Sequence, residues 1–306
     1  MLGYIWQCFY SSCLRFWLKW FLRLVTGRCE LQRICARCKA GALRTAQIGD
    51  DHHTWTTSVY TYKYIHLLEN TLSLKENDLD EHLAQIIQEK RIKEQKDPTF
   101  KVNLRQCLLQ INGYSGLFEE VEDLRKQVFD SENEEHENML LKLWDLLMPS
   151  EKLESRVTKQ WGNIGFQGED PKTDFRGMGM LGLTNLLFFS ENHPDAARQV
   201  LSHASHPRLG YSYAIVGINL TEMAYSLMKS DALKPHFYNT VCGKPQMQHF
   251  HHFYCYLAYE FDKFWLEEEP ESIMEFNRYR EKFHDKVKGQ LQKPEVKLIM
   301  TVDQEK

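Results

Sequence analysis

The sequence predicts an all-α fold, and three observations carry that prediction. Apolar residues recur with helical spacing along most of the chain, as in Leu140, Leu143, Trp144 and Leu147. No segment alternates apolar and polar residues as a half-buried strand would. Two Ser-x-x-Glu sequences, Ser131 to Glu134 and Ser272 to Glu275, have the form of helix-starting capping boxes. The class is therefore a multi-helix globular domain preceded by an N-terminal amphipathic helix.

The elements follow in order. Residues 1–27 begin with fourteen uncharged residues, shorter than the roughly 20 needed to cross a bilayer. A basic leader and a small-residue cleavage site are both missing, so a secretory signal is not expected. From Arg15 on, a helix period appears. Arg15, Lys19 and Arg23 form one stripe, and Phe16, Trp17, Trp20, Phe21 and Leu24 occupy the other faces. Aromatics opposite cations suit a helix lying in a membrane interface, or a targeting segment. On that reading Arg15, Trp17, Lys19, Trp20, Phe21 and Arg23 touch the membrane. The other reading is a terminal helix packed on the core.

Residues 28–60 read as a linker of uncertain order, with Gly41, Gly49 and the run from Asp50 to His53. Residues 61–130 read as a helical region that packs on the main domain. Leu67, Leu68, Leu72, Leu79, Leu83, Ile86 and Ile87 give one helical stretch, and Pro98 ends it. Two further helices are expected at 102–112 and 116–127, around Gly113. The main domain spans 131–292. Its helices are expected from Ser131 towards Leu147, from Ser150 to Trp161, and near 180–191, 195–203, 212–229, 247–266 and 272–292. The last has Phe276, Tyr279, Phe283 and Val287 as its buried face. Residues 293–306 form a tail.

The net charge is −4, unevenly spread. Residues 1–45 hold eight Lys/Arg and one acid, Glu30, for +7, which leaves −11 on the remainder. A basic head on an acidic body points to a membrane surface or an acidic partner for the head, and not to nucleic acid along the chain. Five of the eight cysteines precede residue 40, and a chain this long and apolar needs no disulfide frame. Reduced thiols are the default. Cys35 and Cys38 make one isolated C-x-x-C without a partner pair or a preceding strand. His249, His251 and His252 lack a carboxylate or thiol at ligand spacing and read as core or interface residues, and Cys255 as a buried thiol. No metal and no cofactor is expected. No Ser/His/Asp or Cys/His arrangement marks a hydrolytic site.

The stretch from Asp174 to Leu183, DFRGMGMLGL, places Gly177, Gly179 and Gly182 in G-x-G-x-x-G spacing. A dinucleotide site needs a strand before the first glycine, yet the preceding residues contain Pro171 and no apolar run. No G-x-x-x-x-G-K-[ST] occurs, so the chain is not itself a P-loop GTPase. Arg176 is the more informative residue. Pro171 makes a turn, Thr173 or Asp174 can cap the following helix, and Arg176 then falls in the first helical turn, the unfavourable end for a cation. Either Asp174, Asp170 or Glu169 holds it in a salt bridge, or its guanidinium is presented to an anionic partner.

At these residues the sequence resembles the ELMO domain. The resemblance rests on Trp161, the run Gly165-Phe166-Gln167-Gly168, Asp170-Pro171, Thr173 to Gly179, and Leu181-Gly182-Leu183. The flanks at 25–34, 136–149, 210–227 and 253–265 are similar to the short ELMO domain-containing proteins, and the likeness runs from about residue 14 to 292 apart from 43–75. It implies an activator of Arf-family and Arf-like small GTPases, not an enzyme with a complete active site of its own. Arg176 is then the arginine finger. Asp174 would orient the guanidinium, and Trp161 and Phe166 would support the loop. Gln167, Asp170, Gly177 and Gly179 would complete the surround, with the glycines permitting close approach to the switch regions. The partners implied are a GTP-bound GTPase and a membrane surface, with no nucleic acid. The place implied is the cytoplasm, with peripheral association to the mitochondrion, endoplasmic reticulum or lipid droplet. The alternative is a non-catalytic scaffold, as in larger proteins that carry an ELMO domain.

Overall fold

The computed structural model describes residues 15–37, 41–50 and 78–301, and every regular element among them is helical. The helices are α1 (Arg15–Thr26), α2 (Glu30–Arg37), α3 (Gly41–Asp50), α4 (Leu79–Glu89), α5 (Phe100–Lys126), α6 (Glu134–Leu147), α7 (Gly179–Asn192), α8 (Pro194–Ala204), α9 (Tyr213–Lys229), α10 (Lys234–Thr240), α11 (Met247–Glu268) and α12 (Phe276–Leu291). Short 3₁₀ segments include Lys159–Ile164 and Pro171–Arg176. The chain forms two compact units, one from 1–116 with 234–245, the other from 117–233 with 246–306.

The first unit buries Leu31 and Cys35 of α2, Ile48 of α3, Leu83 and Ile86 of α4, and Leu104, Cys107 and Leu108 of α5 in one core. Residues 30–37 and 41–50 are thus two packed helices and not the expected linker. Their polar residues misled: Thr45 and Arg44 are buried and partnered far along the chain. Thr45 Oγ1 donates to Gln110 Oε1 (2.7 Å), and Arg44 Nε donates to Cys107 Sγ (3.2 Å). Gln110 Nε2 in turn donates to the carbonyls of Tyr238 (3.0 Å) and Val241 (2.8 Å) at the end of α10. Burial pushes the Cys35 thiol well above its usual range. Cys38, the Asp51-His52-His53 run, and Leu67, Leu68 and Leu72 lie outside the described residues.

Where two helices were expected around Gly113, α5 runs unbroken for 27 residues. A glycine inside a helix costs only about 1 kcal/mol against alanine. Here it lets the Pro245 ring sit against the backbone, in space that a Cβ would occupy. The short helix α10 has no counterpart in the sequence reading.

In α1 the described side chains are mostly outside any core. Trp17 is 63% exposed, Trp20 51% and Phe21 56%, and Leu24 and Val25 are as open. Trp17 and Trp20 meet edge to face at 5.8 Å, and Arg23 Nη2 donates to the Lys90 carbonyl (3.2 Å). The side chains of Arg15, Phe16 and Lys19 lie outside the described ones. Among the described residues no helix is long and apolar enough to cross a membrane.

In the second unit α7 is the hub. Leu181, Leu183, Leu186 and Phe189 bury opposite faces of it, as expected of a helix apolar all round. It packs against α6, α8, α9 and α11. Helix α6 starts later than Ser131 suggests, because Asn133 is the cap: its Oδ1 accepts from the N–H of Glu135 (2.9 Å) and His136 (3.4 Å). Ser272 caps a 3₁₀ turn (Ile273–Glu275) that leads into α12, accepting from Met274 N–H at 3.2 Å. The helix expected over 150–161 is absent. Gln160 competes for that backbone, accepting from Glu154 N–H (2.7 Å) and donating to the Lys152 carbonyl (3.2 Å).

His251 belongs to this core. It stacks on Phe188 with ring centroids 4.8 Å apart, and its Nδ1 donates to Asn185 Oδ1 (2.7 Å). Burial, assisted by the neighbouring His252, pulls its pKa down to about 4 from 6.5. A depressed folded pKa gives stability that is present above the unfolded value and lost as pH falls. The unfolding midpoint should therefore drop between pH 6.5 and 4. His251→Phe should be less stable at neutral pH but flatter across that window. An unchanged slope in a melting series would show that His251 does not set it.

Candidate functional site

The site is built on a row of touching rings. Trp144 meets Trp161 edge to face (5.5 Å), Trp161 meets Phe166 (5.9 Å), Phe166 meets Phe175 (5.5 Å), and Phe175 stacks on Phe129 (5.6 Å). Trp161 is fully buried, and its Nε1 donates to the Arg156 carbonyl (2.9 Å). Edge-to-face pairs of this kind add about 0.5–1.5 kcal/mol each beyond area burial. Two backbone turns are thereby fixed from below, one at 165–168 and the other at 171–176.

The second turn is a 3₁₀ helix with Pro171 at its first position and Asp170 as its cap, accepting from Lys172 N–H at 3.0 Å. This corrects the expected helix start at Thr173 or Asp174. Arg176 lies in the last turn of the 3₁₀ helix, the end that favours a cation, and not in the first turn of α7. Gly179 then opens α7 with φ +52°. A Cβ there would overlap the carbonyls of Arg125 and Gln127, while Met180 N–H donates to Gln127 O (2.8 Å). A left-handed backbone in direct contact with another chain segment requires glycine. Gly177 is different: it faces open space.

The acids that could have held Arg176 are engaged elsewhere. Asp170 Oδ1 pairs with Arg156 Nη1 at 3.0 Å, and Arg156 also pairs with Glu137. Glu169 lies 4.0 Å from Lys159 Nζ. Asp174 Oδ2 accepts from Gln167 N–H at 2.7 Å, so it ties the two turns together and makes no bond to the guanidinium. Burial raises the Asp174 pKa, against the pull of that N–H. Arg176 is exposed, and among the described residues no side chain or carbonyl pairs with it. Gln167, Lys172 and Thr173 on the two turns are also exposed.

Sequence reasoning missed Arg156 and Val128. Arg156 is the clamp of the site, held by two acids and lying over the Phe129 ring at 5.8 Å. No local pattern distinguishes it from any surface arginine. Val128 is 75% exposed between Gln127, which bonds α7, and Phe129, which stacks on Phe175. No group of three or more His, Cys, Asp or Glu gathers at metal-holding distance among the described residues.

Fold and turn together define an all-α domain whose distinguishing polar group faces outward from a rigid bed of rings. The ELMO/CED-12 family model matches residues 119–280, and the chain belongs to that family. It is 58% identical over 287 residues to mouse (Mus musculus) ELMO domain-containing protein 2, covering 94% of this chain and 95% of that protein. Against the human (Homo sapiens) protein 2 the identity is 55% over 298 residues, covering 97% and 99%. Against ELMO domain-containing protein 1 of Pongo abelii it is 47% over 310 residues, covering 95% and 93%. No solved structure matches the chain.

Proposed function

We propose that the protein stimulates GTP hydrolysis by Arf-family or Arf-like small GTPases, with Arg176 entering the partner's nucleotide site in trans. The observation that carries this is an exposed arginine with no partner among the described residues, on a turn fixed by buried rings. Phosphoryl transfer gains most from positive charge placed on the reacting phosphate. A guanidinium forks onto two phosphate oxygens and is always charged. Family membership supports the same reading. The test is single-turnover GTP hydrolysis by a panel of Arf-family and Arf-like GTPases, with and without the full chain. Binding without stimulation across the panel would leave a scaffold.

The exposed rings of α1 support a second part of the proposal: the protein is cytoplasmic and rests peripherally on an intracellular membrane, of the mitochondrion, endoplasmic reticulum or lipid droplet. Trp and Phe at a helix surface insert at the headgroup level, and the cationic share is screened by salt over about 8–10 Å. Anionic vesicles should therefore bind the chain with partial loss at high salt. Replacing Trp17, Trp20 and Phe21 with Ser should release it at any salt, with hydrolysis stimulated in solution unchanged. Sedimentation of the substituted chain with vesicles as before would place the contact elsewhere.

A further inference from the structure

Two neighbouring dipeptides share one construction. In Phe166-Gln167 and in Phe175-Arg176 the ring is buried and the next residue is exposed. The two rings touch at 5.5 Å, and Gln167 N–H donates to Asp174 Oδ2 at 2.7 Å. Both exposed side chains therefore leave the surface from adjacent, tethered turns. The Gln167 carboxamide, like the Arg176 guanidinium, has no bond to any described residue. The two groups stand on one bed of rings, and the acids beside them, Glu169, Asp170 and Asp174, are each engaged with another residue.

We infer that Gln167 is a second catalytic residue, its carboxamide entering the partner's nucleotide site beside Arg176. This rests on the activation proposed above. In the step concerned, the oxygen of a water forms a bond to the γ-phosphorus. The bond from that phosphorus to the β–γ bridging oxygen breaks, and its electron pair leaves with GDP. Both protons of the water end on the released inorganic phosphate, as H₂PO₄⁻. Gln167 is unchanged: its carbonyl accepts from the attacking water and its N–H₂ donates to a γ-phosphate oxygen. In Ras and Gα a glutamine of the GTPase itself orients the attacking water, so a carboxamide suits this part. Asp174 is a positioning residue, because it holds the Gln167 backbone and reaches no reacting atom.

The experiment measures single-turnover hydrolysis by a responsive Arf-family GTPase across a titration of full-length wild type, Gln167→Ala, Gln167→Glu and Arg176→Lys, with melting curves for each. Gln167→Ala should lower the rate at saturating protein by about 10²-fold, the scale of one pre-positioned donor. Its half-saturating concentration should stay within about twofold, because the lost contact is made in the transition state. Gln167→Glu keeps the shape, loses the donor and sets a negative charge beside the phosphates, so it should fall below Ala. If the Ala variant melts lower, the near-isosteric Glu variant decides. A rate at saturation close to wild type in either variant overturns the inference, as does a loss that added protein restores, which marks a docking contact. If Arg176→Lys is inactive while Gln167→Ala is active, this inference alone fails. If wild type stimulates no GTPase, the activation itself fails and this falls with it.

Discussion

Arg176→Lys is expected to lower stimulated GTP hydrolysis by about 10³–10⁵-fold, the range that an arginine supplied in trans contributes in other GTPase systems. Lysine keeps the charge but offers a point ammonium in place of a planar fork, so it cannot bridge two oxygens of the transferring phosphoryl group. The fold should be untouched, because Arg176 is exposed and no described residue pairs with it. Single-turnover rates at saturating protein, read beside melting curves, check both halves. Stimulation near the wild-type level would remove Arg176 from the chemistry. Lost stimulation with a lowered melting point would make it a structural residue.

Trp161→Ala is expected to cost about 3–5 kcal/mol of stability, the usual range for deleting a buried aromatic. The ring is fully buried between Trp144 and Phe166, and its removal also leaves the Arg156 carbonyl without the indole donor. The row of rings loses its second member, so the turns carrying Gln167 and Arg176 lose their bed. Stimulation should fall together with the melting temperature. Trp161→Phe, which keeps a ring but not the indole N–H, should fall in between. An unchanged melting point with lost stimulation would mean that Trp161 touches the GTPase instead.

The helices legible in the sequence are those with a strong apolar period and local stop signals. Helices α7, α8, α9 and α11 lie within two residues of their expected bounds. Failures occurred where a local signal was outweighed by distant contacts. Gly113 reads as a break, yet α5 runs through it, and the missing Cβ leaves room for Pro245. Thr45 and Arg44 read as linker residues, yet their partners lie more than 60 positions away. Ser131 has the form of a cap, but Asn133 is better placed to accept two N–H groups, and Ser131 Oγ accepts from Lys172 Nζ (3.2 Å) instead. At the site, the motif indicated which residues gather, and their partners were invisible. Nothing in the spacing says that Asp170 answers to Arg156 and Asp174 to the Gln167 backbone.

The first unit is not a continuous piece of chain: α10 returns to it after 117 residues of the second unit have intervened. Gln110 waits for acceptors at Tyr238 and Val241, and the Ala42 N–H waits for Asn239 Oδ1 (2.9 Å). On a ribosome these partners emerge only after residues 117–233, so the first unit cannot close until most of the second has left the exit tunnel. That closure carries the entropy of a loop longer than a hundred residues, which slows folding more than it lowers final stability. A nascent or truncated chain ending before Lys234 would hold donors and apolar surface open to chaperones and proteases. A fragment running from residue 117 to the C-terminus would instead strand Phe237 and Tyr238 of α10 in water, without the rest of the first unit.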